Sequence, residues 1–90
     1  MRDLIEHIDE YVAPDGERYA VDVYGRTGAD GMWEGWLEFV PIARGDTLPT
    51  EVETEQSSRE DLEYWASGLT DTYFEGAIER AREDHREKEV

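Results

Sequence analysis

The longest regular alternation of apolar and polar positions runs through residues 32–42. Trp33, Gly35, Leu37 and Phe39 fall on one face of an extended chain, and Glu34, Trp36, Glu38 and Val40 on the other. Successive side chains of a strand point to opposite sides, so this segment is predicted as a strand. Pro41, which lacks a backbone N–H, marks where ladder pairing fades. A second alternation over 18–26 sets Tyr19, Val21, Val23 and Gly25 against Arg18, Ala20, Asp22, Tyr24 and Arg26. Ala13-Pro14-Asp15-Gly16, Gly28-Ala29-Asp30-Gly31 and Ala43-Arg44-Gly45-Asp46 carry turn residues. Thr50 to Glu55 alternates Thr and Glu around Val52 and reads as a polar edge strand, whose charges discourage edge-to-edge association.

Residues 2–12 send two signals. Leu4, Ile5, Ile8, Tyr11 and Val12 follow helical spacing. The turn at residues 13–16 and the strand after it instead ask for a hairpin partner. A strand over residues 8–13 is the expectation, and residues 2–7 are left open between helix and strand.

The pattern changes period after residue 56. Ser57 and Glu60 have capping-box spacing, and Leu62, Trp65, Ala66 and Leu69 form an apolar stripe. Gly68 is placed to end this helix in a left-handed conformation. Thr70, Asp71 and Thr72 are candidate caps for a second helix, whose stripe is Tyr73, Phe74, Ala77, Ile78 and Ala81. The fold class expected is α+β: an antiparallel three- to four-stranded meander with two C-terminal helices packed on one face. Residues 1–81 make one domain, and residues 82–90, almost wholly charged, read as a helix extension or a frayed tail.

Composition narrows the function classes. The 90 residues hold 24 Asp and Glu against 9 Lys and Arg, a net charge of −15, and no cysteine. Disulfide scaffolds and cysteine-ligated metal sites are excluded. Nucleic-acid binding is argued against, because a phosphate backbone attracts an excess of Lys and Arg. No run of apolar residues is long enough for a membrane span, and the N-terminal residues show no apolar signal core. A cytoplasmic monomer is expected. Lys88 is the one lysine; the other cations are arginines. An acidic, lysine-poor surface suits a salt-rich, halophilic cytoplasm, where a Debye length of about 3 Å at molar salt screens self-repulsion.

Candidate chemistry is sparse. His7 and His85 are the two histidines; there is no G-x-S-x-G elbow and no phosphate-binding glycine loop. Asp30 with Glu34, or Asp15 with Glu17, offer oxygen ligands, but without the spacing of a calcium loop. No catalytic residue, metal or cofactor is assigned, and an enzyme is not the expectation.

The candidate site is instead a surface. Period-2 geometry puts Trp36 on the face opposite Trp33, with Glu34 and Glu38 beside it. If the 18–26 strand pairs alongside, Tyr24, Asp22 and Arg26 join that face. Exposed aromatics mixed with Arg are enriched at binding hot spots. The leading expectation is a non-enzymatic interaction or accessory domain that binds a protein partner, with Trp36 and Tyr24 as anchors and Asp22, Arg26, Glu34 and Glu38 as rim. A structural alternative has Trp36 covered by the N-terminal segment or a loop, or capped by Arg26 through a cation–π contact. Two other functions are carried: an acidic decoy that mimics DNA and occupies a basic protein, and a small enzyme or ligand carrier, which needs a pocket.

Three blocks, Trp33-Glu34-Gly35-Trp36-Leu37-Glu38-Phe39, Glu63-Tyr64-Trp65-Ala66-Ser67-Gly68-Leu69 and Tyr73-Phe74-Glu75-Gly76-Ala77, resemble a family of short uncharacterised bacterial proteins. The likeness spans residues 19–81. It implies a stand-alone bacterial domain and brings no activity and no functional residue with it.

Overall fold

The first two connections are one turn built twice. In the computed structural model, which describes residues 1–89 (Glu89 by its backbone alone), Gly16 N–H donates to Ala13 O at 2.9 Å and Ala13 N–H to Glu17 O at 2.8 Å. Gly31 N–H donates to Gly28 O at 3.0 Å and Gly28 N–H to Met32 O at 2.7 Å. Gly16 and Gly31 sit at φ +89° and +82°, where a Cβ is strained. The aspartate before each glycine accepts from the backbone N–H two residues on: Asp15 from Glu17 and Asp30 from Met32, both at 3.0 Å. These are three-residue hairpin loops, and they fix the pairing of the strands they join.

Those strands are β1 (Asp3–Val12), β2 (Arg18–Thr27) and β3 (Trp33–Pro41). β2 and β3 pair antiparallel without interruption from Tyr19↔Pro41 to Thr27↔Trp33. β1 pairs β2 with two irregularities. Leu4 faces Tyr24 while Glu6 faces Val23, and Ile8 faces Val21 while Tyr11 faces Tyr19. Each step adds one residue to β1, the signature of a β-bulge. The extra residues turn a strand's spacing of two into three, so that Ile5, Ile8 and Tyr11 all reach the core side. That is why this strand has helical-looking spacing; of the residues 2–7 left open above, 3–7 belong to it.

The fourth lane corrects the edge strand expected over 50–55. β4 (Leu48–Pro49) pairs with Phe39 and Glu38, and β5 (Thr54–Gln56) with Gly35, Glu34 and Trp33. Between them the chain bows outward. Thr50 keeps two bonds to Leu37: its N–H donates to Leu37 O at 2.8 Å, and its Oγ1 accepts from Leu37 N–H at 3.0 Å. Because a side chain fills the place of a ladder carbonyl, the backbone is released, and Val52 stands out in solvent. The sheet order is β1-β2-β3 with β4 and β5 sharing the outer side of β3.

Two helices, α1 (Arg59–Ser67) and α2 (Asp71–Glu89), cover the face bearing Tyr19, Val21, Val23, Leu37 and Phe39. Leu62 and Ala66 of α1 and Phe74, Ala77, Ile78 and Ala81 of α2 are buried, the spacing of one helix face each. The expected α+β architecture is the one observed. Phe74 packs edge-on against Tyr11 and Phe39, and Tyr11 lies tilted against Phe39, with ring centres 5.5–6.3 Å apart.

Both predicted ends of α1 need correction. The cap is Ser58, not Ser57: Ser58 is extended, and its Oγ accepts from Asp61 N–H at 3.1 Å. Ser57 instead donates its hydroxyl to the Asp61 carboxylate at 2.6 Å. Gly68 ends α1 at φ −95°, not left-handed. The last turn tightens through Gly68 N–H to Trp65 O and Leu69 N–H to Ala66 O, which leaves room for Thr70 to cap α2 at once. Beyond Ala81, α2 continues to Glu89. Arg82 donates to the Asp15 carboxylate and to the Tyr19 hydroxyl, both at 3.0 Å, and His85 lies 3.3 Å from Asp46. Val90, the last residue of the predicted tail, lies outside the described residues. Among the described residues no helix is long and apolar enough to cross a membrane.

Candidate protein-interaction face of the sheet

The face of β1–β3 turned away from the helices carries all six residues singled out from sequence. The β2–β3 register places Tyr24 opposite Trp36, Arg26 opposite Glu34 and Asp22 opposite Glu38. Tyr24 and Trp36 stack, with ring centres 6.1 Å apart and planes 27° from parallel. Arg26 lies 5.2 Å from the Trp36 ring centre and bonds Glu34 at 3.0 Å. Trp36 Nε1–H donates to Glu38 at 3.1 Å.

Asp22 opposite Glu38 is a like-charge pair, unfavourable when left alone. Their side chains are only 17% and 14% exposed, so solvent screens them poorly. Two residues of the N-terminal segment answer this. Arg2 pairs with Glu38 and covers the Tyr24 ring at 4.0 Å. His7, opposite Asp22 in the register, places Nδ1 2.5 Å from the Asp22 carboxylate. That hydrogen bond raises the His7 pKa above its ordinary value, helped by the charges of Asp22 and Asp9.

The result is a row across the sheet, Arg2–Tyr24–Trp36–Arg26, with each arginine tied to a glutamate. Both structural alternatives weighed for Trp36 are thus partly present. Arg26 does cap the ring, and the N-terminal segment reaches the face, yet Trp36 and Tyr24 are only half-buried. Beside Trp36, the bowed segment leaves a hollow of about 420 Å³ lined by Arg26, Trp36, Thr50, Glu51 and Val52. Arg2, His7 and Val52 went unrecognised in the sequence. Arg2 precedes β1, His7 lies between its two bulges, where the period is scrambled, and Val52 was read as the middle of a regular strand.

Glu38 and Glu34 are paired with Arg2 and Arg26, and Asp22 with His7, so much of the face's negative charge is answered locally, while the chain as a whole carries −15. The face offers a stacking surface and a hollow that mixes Trp36 and Val52 with Arg26, Thr50 and Glu51. Among the described residues no three His, Cys, Asp or Glu side chains converge in a cluster fit for a metal ion.

Comparison of the chain with family models, with curated proteins and with solved structures finds no match in any of the three.

Proposed function

We infer that the chain is a non-enzymatic interaction domain that docks a protein partner on the Tyr24–Trp36 face. The observation that carries this reading is the stacked pair itself. Two large half-exposed aromatics occupy the one sheet face that no helix covers, beside a hollow floored by Trp36 and walled by Val52. The partner fitted to it offers an apolar side chain to that hollow, beside a rim whose Glu34 and Glu38 are already paired with arginines. Asp22, Arg26, Glu34 and Glu38 orient the contact. Affinity comes from burial, at roughly 25 cal/mol per Å² of apolar area, and survives high salt.

The setting is a salt-rich cytoplasm, on the charge argument above, and the chain acts as a monomer. Both sheet edges speak for the latter. β1 is bulged twice, and the outer side of β3 is covered by two short strands with a bow between them, so neither edge offers a straight ladder to a second copy.

The test is affinity capture in molar KCl from the lysate of the source organism, with wild type beside Trp36→Ala and Val52→Asp. A protein held by wild type and lost by both variants supports the reading. A captured protein indifferent to both variants and released by KCl points to the acidic decoy instead. Capture of nothing that either variant changes sinks the sheet-face reading.

A further inference from the structure

Five aromatic rings of this protein, four of them part-exposed and one, Tyr19, buried, share a habit. Arg2 sits on Tyr24, Arg26 on Trp36, Arg59 on Trp33, Arg80 on Tyr73 and Arg82 on Tyr19, at 4.0–6.0 Å from ring centre to guanidinium carbon. Tyr11, Phe39 and Phe74 are buried in the core. That leaves Tyr64 and Trp65, next to each other on α1, as the aromatics outside the core that carry no arginine of their own among the described residues.

Both line a hollow of about 430 Å³ at the corner where α1 meets α2. Its walls are Tyr64, Trp65, Leu69, Thr70 and Tyr73, and none of its lining residues is charged. Tyr64 is 82% exposed, so its ring is open to an incoming group. Trp65 and Tyr73 meet at 90° with centres 5.8 Å apart, so the corner holds ring faces in two directions.

The electrostatics of the corner favour a cation. The hollow lies at the C-terminal end of α1, where helix carbonyls gather partial negative charge, and the last turn of α1 contains no basic residue to answer it. Glu60 stands one turn before Tyr64 on the same helix, while Glu63 is already paired with Arg59. The N-terminus of α2, of opposite sign, already has Asp71 in its first turn.

We propose that this corner is a second binding site, which takes an arginine side chain from a basic protein partner, with Tyr64 and Trp65 as its stacking surfaces. Charge alone would accept any cation. The rings select the guanidinium, which is flat, weakly hydrated and stacks, over the compact and strongly hydrated ammonium of lysine. The aliphatic stem of the arginine lies along Leu69. Short-range stacking also keeps such a contact effective in molar salt, where long-range attraction to a −15 chain is screened.

The proposal is independent of the Tyr24–Trp36 face and is tested separately from it. The probe is a Gly-Ser peptide bearing spaced arginines, titrated into the full chain in molar KCl while the Trp65 indole and Tyr64 ring signals are followed by NMR. Two control peptides carry citrulline or lysine in place of arginine. The expected result is saturable shifts at Trp65 and Tyr64, with weaker binding of both controls. Tyr64→Ala, which touches little of the fold, weakens the arginine peptide by about threefold to fivefold, the scale of one exposed cation–π contact. Trp36→Ala leaves this binding unchanged. Citrulline or lysine binding as well as arginine, shifts confined to carboxylates elsewhere, no binding, or indifference to Tyr64→Ala each overturns the proposal.

Discussion

Gly25 of β2 and Gly35 of β3 face each other across the sheet, and together they seat Leu62 of α1. A Cβ on Gly25 would lie 2.5 Å from Leu62 Cδ2, and one on Gly35 would lie 2.6 Å from Leu62 Cδ1. The two methyl groups of one leucine thus fill the space of two missing side chains, and this sets how closely α1 approaches the sheet.

Gly25→Ala and Gly35→Ala are each expected to destabilise the fold by about 1–3 kcal/mol through overpacking. Leu62→Ala alone is expected to cost about 2–5 kcal/mol through the cavity it leaves. The combination Gly35→Ala with Leu62→Ala should cost less than the sum of the two, because each change relieves the other. Thermal unfolding of the four proteins checks this, and strict additivity would refute the seat.

Thr50 replaces a ladder carbonyl with its own hydroxyl. Thr50→Val keeps the shape but leaves the buried Leu37 N–H without its side-chain acceptor. The expected loss is about 1–3 kcal/mol, the cost of an unsatisfied buried donor. Hydrogen exchange should show the Leu37 amide losing protection well beyond the global change. Unchanged protection there would mean that the bowed edge does not depend on Thr50.

His7 makes the sheet face sensitive to pH. Its folded pKa is raised, first by the hydrogen bond to Asp22. A raised pKa means that the folded state holds the proton more tightly than the unfolded chain. The resulting stability is complete below the unfolded value of about 6.5 and fades as pH rises through the folded value. A urea series across neutral pH should therefore show a decline in wild type that His7→Gln lacks. Identical pH profiles would show that His7 does not neutralise Asp22 in solution.

Tyr73 gives the second titration. Burial, then the hydrogen bond that its hydroxyl donates to Glu53, pushes its pKa up to about 12. The sign is the same as for His7. Stability held by the protonated phenol is present below pH 10 and lost as pH climbs through about 12. Ultraviolet titration should show a late phenol that Tyr73→Phe removes, with a stability loss of about 1 kcal/mol for the hydrogen bond.

Salt should stabilise this protein. At molar KCl the Debye length of about 3 Å screens the repulsion among an excess of 15 negative charges. Exposed pairs such as Arg59 with Asp3 and Glu63 weaken as well, but such pairs contribute at most about 1 kcal/mol each. The midpoint of thermal unfolding is therefore expected to rise from dilute buffer to molar KCl. Equal midpoints would remove the basis for a salt-rich habitat.

Local pattern was enough to determine the middle of this molecule. The alternation in residues 18–26 and 33–39, with an Asp-Gly turn between, sets which side chains share a face, because a strand's period is fixed by its backbone. The stripes of α1 and α2 follow from the same kind of period, as does the side of its own strand on which each of Tyr24, Trp36, Asp22, Arg26, Glu34 and Glu38 stands; their convergence took the β2–β3 pairing. The tertiary structure decided what period cannot express. Two bulges hide β1 behind helical spacing, since an inserted residue changes the count without changing the residue types. The bow at 50–53 depends on a side-chain bond to Leu37, thirteen residues away. Arg2, from the N-terminal segment, and Arg26, from β2, find their rings only once β1, β2 and β3 lie side by side. Burial and pairing across the sheet are long-range events, and a one-dimensional pattern carries only the short-range ones.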